Sequence, residues 1–441
     1  MNKSYQDLEI KRLLIAGKIV VGIDPGKLSH QAVVQDAHGI TIGKPFPFAQ
    51  SYEGYHKTLP QKLSRLLPEE AFDQIVFAIE CSCNLWQNLC AHLYGQGYKV
   101  VLVSPLSTHQ ARPMINQDFS RTDQKDALAV ASNARQGYFN DYRVLDDRTE
   151  AMHRLSITYS KVRKDLQRHK ARLRAHLELV FPEFVKTLNL DSDSARYLLS
   201  NYVLPPEYLT LDLEKEALEL SRVSRNQHGK ETLQALQKAA ENSIGLKREA
   251  LQARTDHLIV SGWLAQIKTT IEQLDLMAES CIELAGHSPH FEGIKSIKGI
   301  SDLSAALFLA ETYNLTGFTH YKQIEKLAGT NLRQSQSGKT MGRRRLSKLG
   351  NARLRWLLYR MTEEAIKYVP EVRIKYLKRQ LDKGIYRKNL LAATPKLLEL
   401  ILALCRDGRC YYTRLDTLNT LAELEKQYDQ KRSKQRNKAA A

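Results

Sequence analysis

The sequence predicts a chain of two fold classes, an α/β domain followed by an all-α region. Residues 16 to about 145 alternate apolar, β-branched runs with helix-like segments, which is typical of a domain with a central mixed sheet. From about residue 149 the strand signal fades and the remaining segments have helical spacing. The third observation is charge, because 66 Lys and Arg against 48 Asp and Glu leave a net charge of +18. That charge indicates polyanionic partners, nucleic acid first and acidic membrane surfaces second.

Composition excludes several other classes of protein. The chain of 441 residues has 43% hydrophobic and 26% charged residues, as ordinary globular proteins do. Its longest apolar runs fall short of the ~20 residues that a membrane-spanning helix needs, and the first residues lack a signal-peptide core. Six cysteines in a chain of this length do not make a disulfide scaffold. We therefore expect no membrane partner and a cytoplasmic location.

Five segments are predicted along the chain. They are an N-terminal arm at residues 1–15, the α/β domain at 16–148, a helical linker at 149–286, a compact helical domain at 287–415 and a basic tail at 416–441. In the linker, helices from about residue 232 to 284 are expected to pack back on a basic helix at 155–179 as a coiled-coil-like hairpin. That basic helix is either a solvated face or a nucleic-acid contact. Within the tail, residues 431–439 are basic and low in complexity, and they are predicted to be disordered.

Two of the predicted strands end on a carboxylate. Residues 19–23 form an apolar run that ends at Asp24 and breaks into Pro25-Gly26, and residues 74–79 form a second buried run that ends at Glu80. Burying an acid is unfavourable by several kcal/mol unless a partner binds it. Asp24 considered alone is therefore either a metal ligand or a cap of the turn that follows it.

Two further acids lie on a predicted helix at residues 123–135. Positions i and i+3 share one helix face, so Asp123 and Asp126 can point at the same spot. Four acids in one place repel one another without a cation, and hard oxygen ligands suit Mg²⁺ or Mn²⁺. A pair of such ions stabilises the attacking and leaving oxygens at a phosphodiester. The alternative is that Asp123 and Asp126 only cap a surface helix.

A serine and a dense group of cations stand together near residue 340. Ser337 precedes Gly338, and the basic residues after it are Lys339, Arg343, Arg344, Arg345, Lys348, Arg353 and Arg355. Cations lower the free energy of charge that develops in a transition state, so this segment suits a serine that attacks a phosphodiester. A loop that only binds phosphate is the alternative, and the chemistry of these residues alone favours it. Residues 294–301 are likewise interpreted as a helix-hairpin-helix turn or as an ordinary joint between helices.

Taken in order, these motifs resemble the DEDD transposases of the insertion-sequence one-ten family, a group that includes the Piv invertase and the bridge-RNA-guided serine recombinases. The resemblance extends from about residue 20 to 412. It is carried by Gly22-Ile23-Asp24, Ile79-Glu80, Thr122-Asp123-x-x-Asp126-Ala127, Ile297-Lys298-Gly299-Ile300, Ala328-Gly329, Gln336-Ser337-Gly338 and Ser347-Lys348-x-Gly350-Asn351-x-x-Leu354-Arg355. Each motif is weak alone, and the ordered combination is specific.

The resemblance implies an N-terminal domain similar to the RuvC Holliday-junction resolvase, with an RNase H-like sheet. It implies that Asp24, Glu80, Asp123 and Asp126 bind Mg²⁺ (or Mn²⁺) and that Ser337 attacks a DNA phosphate to form a phosphoserine link. It also implies donor and target DNA as substrates, a guide (bridge) RNA that selects them, and a homotetramer, a dimer of dimers, with composite sites. The expected location is then the cytoplasm of a prokaryotic cell, at the nucleoid.

The sequence departs from the family pattern at two places. The turn that the family usually writes Pro-Gly-Ile-Gly is Lys298-Gly299-Ile300-Ser301 here, and the linker at 149–286 is longer than in compact members. Ser335 is a near neighbour of Ser337, and only the glycine that follows Ser337 favours the latter. We expect an RNA-guided DNA recombinase. The alternatives are a RuvC-like junction nuclease that uses metal and water without a covalent intermediate, and a catalytically inert nucleic-acid-binding protein.

Overall fold

The computed structural model of the chain describes residues 3–117, 120–333, 336–337, 340–342 and 344–440. The chain forms two compact units, Met1–Val144 and Leu145–Ala441. The boundary lies near the predicted end of the α/β domain, while the finer division of the second unit into linker, helical domain and tail stays a prediction. Within the described ranges no helix combines the length and the apolar character that crossing a membrane requires.

The first unit is built on a six-stranded sheet. Its strands are β1 (Ile19–Asp24), β2 (Ser29–Gln35), β3 (Thr41–Ala49), β4 (Ile75–Glu80), β5 (Lys99–Val103) and β6 (Phe139–Asp141). Their order across the sheet is β3-β2-β1-β4-β5-β6. The first three strands pair antiparallel, β4 and β5 run parallel to β1, and β6 returns antiparallel to β5. This is the RNase H-like arrangement, so the predicted α/β domain with its RNase H-like sheet is confirmed.

Helices cover both faces of this sheet, and the central strands are therefore buried. The helices are α1 (Lys3–Ile15), α2 (Leu59–Ser64), α3 (Gln87–Gly95), α4 (Pro105–Asn116) and α5 (Asp123–Arg135), with a π-helical turn at Gly54–Thr58 and a 3₁₀ turn at Glu69–Gln74. Val20, Val76 and Ala78 face α5 on one side of the sheet. On the other side, Phe77 and Ile79 pack with side chains of α2 and α3. The bounds of α5 agree with the predicted helix at 123–135.

The edges of the sheet differ from the prediction. The sequence predicts a returning strand at residues 39–43, whereas β3 continues through Pro45 and Pro47 to Ala49. Proline lacks an N–H but is tolerated on an edge strand, and β3 is the edge of the sheet. The sequence does not predict β6, because a strand of three residues has no periodic pattern to detect.

The second unit begins with a long helical hairpin. Its helices are α6 (Asp147–Val180), α7 (Phe184–Thr187), α8 (Asp193–Asn201), α9 (Pro205–Leu209), α10 (Leu213–Val223), α11 (Lys230–Glu241) and α12 (Ala250–Gly286). α6 and α12 pack against each other, which confirms the predicted coiled-coil-like hairpin. Leu173 and Leu177 of α6 share a core with Val260 and Leu264 of α12. α6 ends before Pro182, because proline cannot continue a helix.

The rest of the second unit is a group of helices with a small β extension. The helices are α13 (Phe291–Lys295), α14 (Asp302–Glu311), α15 (Tyr321–Ala328), α16 (Ala352–Tyr368), α17 (Pro370–Lys383), α18 (Tyr386–Asp407) and α19 (Leu415–Ala440), with a 3₁₀ turn at Tyr313–Leu315. Between α15 and α16 lie the two-residue strands β7 (Leu332–Arg333), β8 (Gln336–Ser337), β9 (Thr340–Met341) and β10 (Arg345–Leu346). β7 pairs with β10 and β8 with β9, both antiparallel. The sequence predicts only helix here, because strands this short leave no sequence pattern.

The predicted helix-hairpin-helix-like turn lies between α13 and α14. Gly299 has a φ of +88°, and a Cβ at this position would lie 2.8 Å from Cδ2 of Tyr368, so only glycine fits without strain. Ile297 and Ile300 on either side of it are buried. The Ser301 hydroxyl caps α14 by accepting a hydrogen bond from the Ser304 amide at 3.2 Å.

The basic tail is helical, and the prediction of disorder for residues 431–439 was wrong, because α19 continues to Ala440. α19 packs against α17, with Leu421, Leu424 and Tyr428 placed against the core of the second unit. Arg373 of α17 donates a hydrogen bond to Glu425 at 2.7 Å. Apolar residues at i, i+3 and i+7 form one helix face, and this face outweighs the polar composition of the tail.

Candidate active site

Asp24 and Glu80 lie side by side at one edge of the sheet. Each is the last residue of its strand, and the neighbouring pair Ile23 and Ile79 is in register between parallel β1 and β4. Side chains alternate along a strand, so Asp24 shares the face of Val20, and Glu80 shares that of Val76 and Ala78. That face is the one covered by α5. The fold thus brings both predicted acids to the same face and the same end of the sheet.

Gly22 allows α5 to approach this face closely. A Cβ at Gly22 would lie 2.4 Å from the Ala127 carbonyl oxygen and 2.6 Å from the Ala131 amide nitrogen. Both atoms belong to the helix backbone and cannot move independently of α5. The close contact between β1 and α5 carries the first turn of the helix to the strand end where Asp24 lies.

The first turn of α5 supplies the other two predicted acids. Thr122 caps the helix, its hydroxyl accepting a hydrogen bond from the Lys125 amide at 3.2 Å. Asp126 is only 3% exposed, whereas Asp123 is exposed. Acids in a first helical turn interact favourably with the helix dipole. The alternative prediction, that Asp123 and Asp126 only cap a helix, rests on this interaction.

The environment of Asp24 is strongly negative. Burial, followed by the charges of Glu80, Asp126 and Asp123, raises the pKa of Asp24 to about 7, and Arg121 acts in the opposite direction. A carboxyl group responds to other charges in this way only when they are close to it. The charges of the other three predicted acids therefore act on Asp24.

Glu80 is a buried acid with an unsatisfied oxygen. It is 7% exposed, and its Oε2 atom has no hydrogen-bond partner among the described residues. Burial raises the pKa of Glu80, against the opposing effect of the Thr108 hydroxyl. A buried acceptor left unpaired is unfavourable, and a cation would satisfy it.

Asp126 already has a cationic partner, which the sequence analysis missed. Arg112 of α4 donates from Nε to Oδ1 of Asp126 and from Nη2 to Oδ2 at 2.8 Å. Arg121 lies further away, with its Nε 3.8 Å from Oδ2. Arg112 carries no motif of its own, and the only signal in the sequence is a basic residue on the helix before the acids.

These residues fit a divalent cation in part. Carboxylate oxygens suit Mg²⁺ or Mn²⁺, and a cation would satisfy the unpaired oxygen of Glu80 and stabilise the ionised form of Asp24, whose pKa is raised. Asp126, however, is paired with Arg112, and Asp123 is exposed. Over the described ranges, no group of three or more His, Cys, Asp or Glu side chains is arranged to hold a metal ion.

The segment that bears Ser337, residues 329–348, lies in the second unit, and backbone hydrogen bonds join its two ends. These joined ends are the base of the segment. At this base the Ser347 amide donates to the Asn331 carbonyl at 2.8 Å, and the Lys348 amide donates to the Gly329 carbonyl at 2.9 Å. Ser337 stands in β8, paired with Thr340 of β9. The described structure covers its backbone only. Lys339 and Arg343 lie outside the described residues.

The remaining cations of this segment divide into two groups. Arg344, Arg345 and Lys348 are exposed. Arg353 and Arg355 are half-buried and bind their own chain, Arg353 to Glu311 at 2.6 Å and Arg355 to the Ala328 carbonyl at 2.8 Å. As they stand, these two arginines hold the base of the segment together.

Glu311 is a second residue that the sequence analysis missed. It is 1% exposed and accepts hydrogen bonds from Ser156 at 2.6 Å, from Arg353 and from Asn351. Burial would raise the pKa of Glu311, but the hydrogen bonds from Arg353 and Ser156 outweigh it and the pKa lies below its usual range. The carboxylate joins α6, α14 and the start of α16.

Two family models match the chain. A model of the DEDD domain of IS110 transposases matches residues 21–182, and a model described as "Transposase IS116/IS110/IS902 family" matches residues 292–377. A curated relative, "Insertion element IS116 uncharacterized 44.8 kDa protein" of Streptomyces clavuligerus, is 23% identical over 399 residues, which is 89% of this chain and 96% of the relative.

A solved structure is also similar to part of the chain. It is titled "T. thermophilus RuvC in complex with Holliday junction substrate", with 19% identity, 28% of this chain and 99% of that chain covered, and a TM-score of 0.21. The RNase H-like assignment stands on the strand order of this chain and not on that likeness. The two family models match in the expected order along the chain. The chain belongs to the IS110 family of transposases, enzymes that cut and recombine DNA.

Proposed function

We propose that this transposase cuts and rejoins donor and target DNA through a covalent phosphoserine link at Ser337, with Mg²⁺ or Mn²⁺ bound by Asp24, Glu80, Asp123 and Asp126. The observation that carries the proposal is the convergence of acids at the ends of β1 and β4, with the unpaired Oε2 of buried Glu80 among them. A bound divalent ion would lower the pKa of an attacking hydroxyl and stabilise charge on a leaving oxygen.

The covalent step conserves the phosphodiester. The Ser337 hydroxyl gives up its proton, its oxygen bonds to phosphorus, and the bond from phosphorus to the DNA 3′ oxygen breaks. The 3′ oxygen takes up a proton and leaves as a hydroxyl. The reverse attack by a 3′ hydroxyl restores a DNA strand and frees the serine, so strand exchange requires no ATP.

Charge supports nucleic-acid partners. The chain carries a net charge of +18, and the Ser337 segment itself exposes Arg344, Arg345 and Lys348. Backbone contacts by such cations supply affinity without sequence preference. We also propose that a guide RNA selects the donor and target DNA sequences. The proposal also includes a homotetramer with composite sites that acts in the cytoplasm.

The test is a search for a protein–DNA adduct. Full-length protein, Mg²⁺, guide RNA and DNA substrate are incubated, and the adduct is separated on a denaturing gel. Wild type is compared with Ser337→Ala, with the matched control Ser335→Ala and with Asp24→Asn. We expect an adduct from wild type and from Ser335→Ala, and none from the other two variants.

Other outcomes would identify other functions. Recombination by Ser337→Ala would show that the nucleophile is a different residue. DNA cleavage that survives Ser337→Ala and is lost in Asp24→Asn would indicate a metal-dependent nuclease without a covalent intermediate. Recombination that needs no added RNA would remove the guide from the proposal.

A further inference from the structure

Arg112 forms an ion pair with Asp126, a carboxylate that the proposed function assigns to the metal. We infer that Arg112 is a resident cation of the active site, which holds Asp126 in the resting enzyme and closes that side of the site to a divalent ion. The inference rests on the proposed metal site and adds an order of events to it. Asp24 and Glu80 would hold the first ion, and Asp126 would be free to act as a ligand only after Arg112 leaves it.

The contact between Arg112 and Asp126 is bidentate and largely enclosed by the protein. Two guanidinium nitrogens of Arg112 donate to the two carboxylate oxygens of Asp126, the bidentate geometry that gives the strongest ion pairs. The side chain of Arg112 is 14% exposed and that of Asp126 is 4% exposed. Water screens a pair so enclosed much less than it screens a surface pair. The helices that carry the two residues, α4 and α5, also pack against each other.

Arg121 provides an internal comparison. It approaches the same carboxylate, but its Nε lies 3.8 Å from Oδ2 and its side chain is 77% exposed. A single long contact in solvent contributes little. The two arginines therefore differ in burial and geometry while sharing one partner, which makes Arg121 the natural control for Arg112.

Glu80, on the other side of the site, is not paired as Asp126 is. Oε2 of Glu80 is buried and has no hydrogen-bond partner among the described residues. Mg²⁺ binds proteins through one or two carboxylates and completes its shell with water and phosphate oxygens. Asp24 and Glu80, adjacent at the ends of parallel strands, suffice for one such ion.

Charge balance supports this order. Arg112 balances the charge of Asp126. A second ion on that side of the site would therefore meet a carboxylate that is already paired and a positive charge beside it. A DNA phosphate brings negative charge of its own and offers the guanidinium an alternative bidentate partner. Arg112 can then leave Asp126 without losing a counterion.

The test is a Mn²⁺ titration of the DNA-free, full-length protein, followed by calorimetry and by the electron paramagnetic resonance signal of free Mn²⁺. Wild type is expected to bind one Mn²⁺ per chain. Arg112→Gln is expected to bind a second, because Asp126 is released, while Arg121→Gln behaves as wild type. Equal stoichiometry and affinity in wild type and Arg112→Gln would overturn the inference.

The double variant Arg112→Gln/Asp126→Asn supplies a second test, because it removes both charges of the pair and leaves no unpaired buried charge. It is expected to bind one Mn²⁺ per chain with an affinity within about threefold of wild type and to lose recombination, whereas Asp24→Asn loses both. A tenfold or greater loss of Mn²⁺ affinity in the double variant would show that Asp126 is a resting ligand and would refute the role of Arg112. If wild type binds no Mn²⁺, the proposed metal site itself fails.

Discussion

At Gly22 the absence of a side chain sets the distance between the sheet and α5. The helix backbone occupies the space that a Cβ would need, with Ala127 O and Ala131 N both within 2.6 Å of that position. Asp24 lies two residues further along the same face of β1, and the first turn of α5 lies above it. A single residue thus couples packing to the arrangement of the acids.

Gly22→Ala is expected to lower the free energy of unfolding by about 1–3 kcal/mol, the usual effect of overpacking a rigid contact. Recombination should fall as well, because α5 carries Asp123 and Asp126 away from Asp24. Urea unfolding and a recombination assay measure the two effects. Gly95→Ala is the control, since a Cβ at Gly95 meets no atom within 4 Å. An unchanged unfolding curve for Gly22→Ala would contradict the close packing.

His30 gives the first unit a pH dependence. The ring is 1% exposed and lies 3.1 Å from the Tyr55 hydroxyl through Nε2. Burial lowers the pKa of His30 to about 4. Between that value and the pKa of about 6.5 in the unfolded chain, the unfolded state binds more protons, so stability rises with pH across this window and is lost as pH falls through it.

His30→Gln is expected to reduce this dependence. The difference in unfolding free energy between pH 7 and pH 4.5 should be smaller in the variant than in wild type by up to about 3 kcal/mol. Comparing variant with wild type at each pH cancels the contributions of other titrating groups. His38→Gln, at an exposed ring, should follow the wild-type curve. Parallel curves for wild type and His30→Gln would mean that His30 is not the source.

At the scale of elements, Glu311 joins three helices of the second unit. Its carboxylate accepts from Ser156 on α6 and from Arg353 on α16, while its own helix is α14. Asn351, which caps α16 through hydrogen bonds to the Arg353 and Leu354 amides, is also bound to it. The base of the Ser337 segment is therefore tied to the helical core through one buried acid.

Glu311→Ala is expected to destabilise the second unit by about 1–3 kcal/mol, because Ser156, Asn351 and the half-buried Arg353 lose their shared acceptor. Glu364→Ala on α16, which removes a surface pair with Lys367, should change stability by less than about 1 kcal/mol. Thermal and urea unfolding compare the two. Equal effects of the two substitutions would show that the Glu311 network contributes no more to stability than a surface ion pair does.

At the scale of the whole molecule, the excess of positive charge determines how binding responds to salt. Each phosphate contact that is lost should reduce the slope of log K against log[salt] by about 0.9 on duplex DNA. Replacing Arg344, Arg345 and Lys348 by Gln should therefore make the slope less steep and weaken binding to all sequences alike. Fluorescence anisotropy over a range of salt concentrations measures this slope.

The control for this measurement is a charge-matched change elsewhere. Lys44, Lys57 and Arg65 are exposed residues of the first unit, and replacing all three by Gln removes the same charge without touching the Ser337 segment. A slope that falls equally in the two variants would show that net charge, rather than this segment, governs binding.

Local sequence patterns were sufficient to predict the features that depend on neighbouring residues. Apolar runs that end on acids placed Asp24 and Glu80 at strand ends, and Thr122 before Asp123 marked the start of α5. Periodicity predicted the α6–α12 hairpin, and the ordered motifs led to the family. Failures came where a pattern was too short, as in β6 and β7 to β10, or where composition hid an apolar face, as in α19.

Tertiary structure alone decided which distant residues meet. The pairing of Arg112 with Asp126, the close approach of α5 to Gly22 and the network around Glu311 each join residues from separate elements. Such contacts follow from strand register and helix packing, which no local pattern encodes. The sequence therefore indicated four acids for one metal site, and in the folded chain one of them, Asp126, is paired with Arg112.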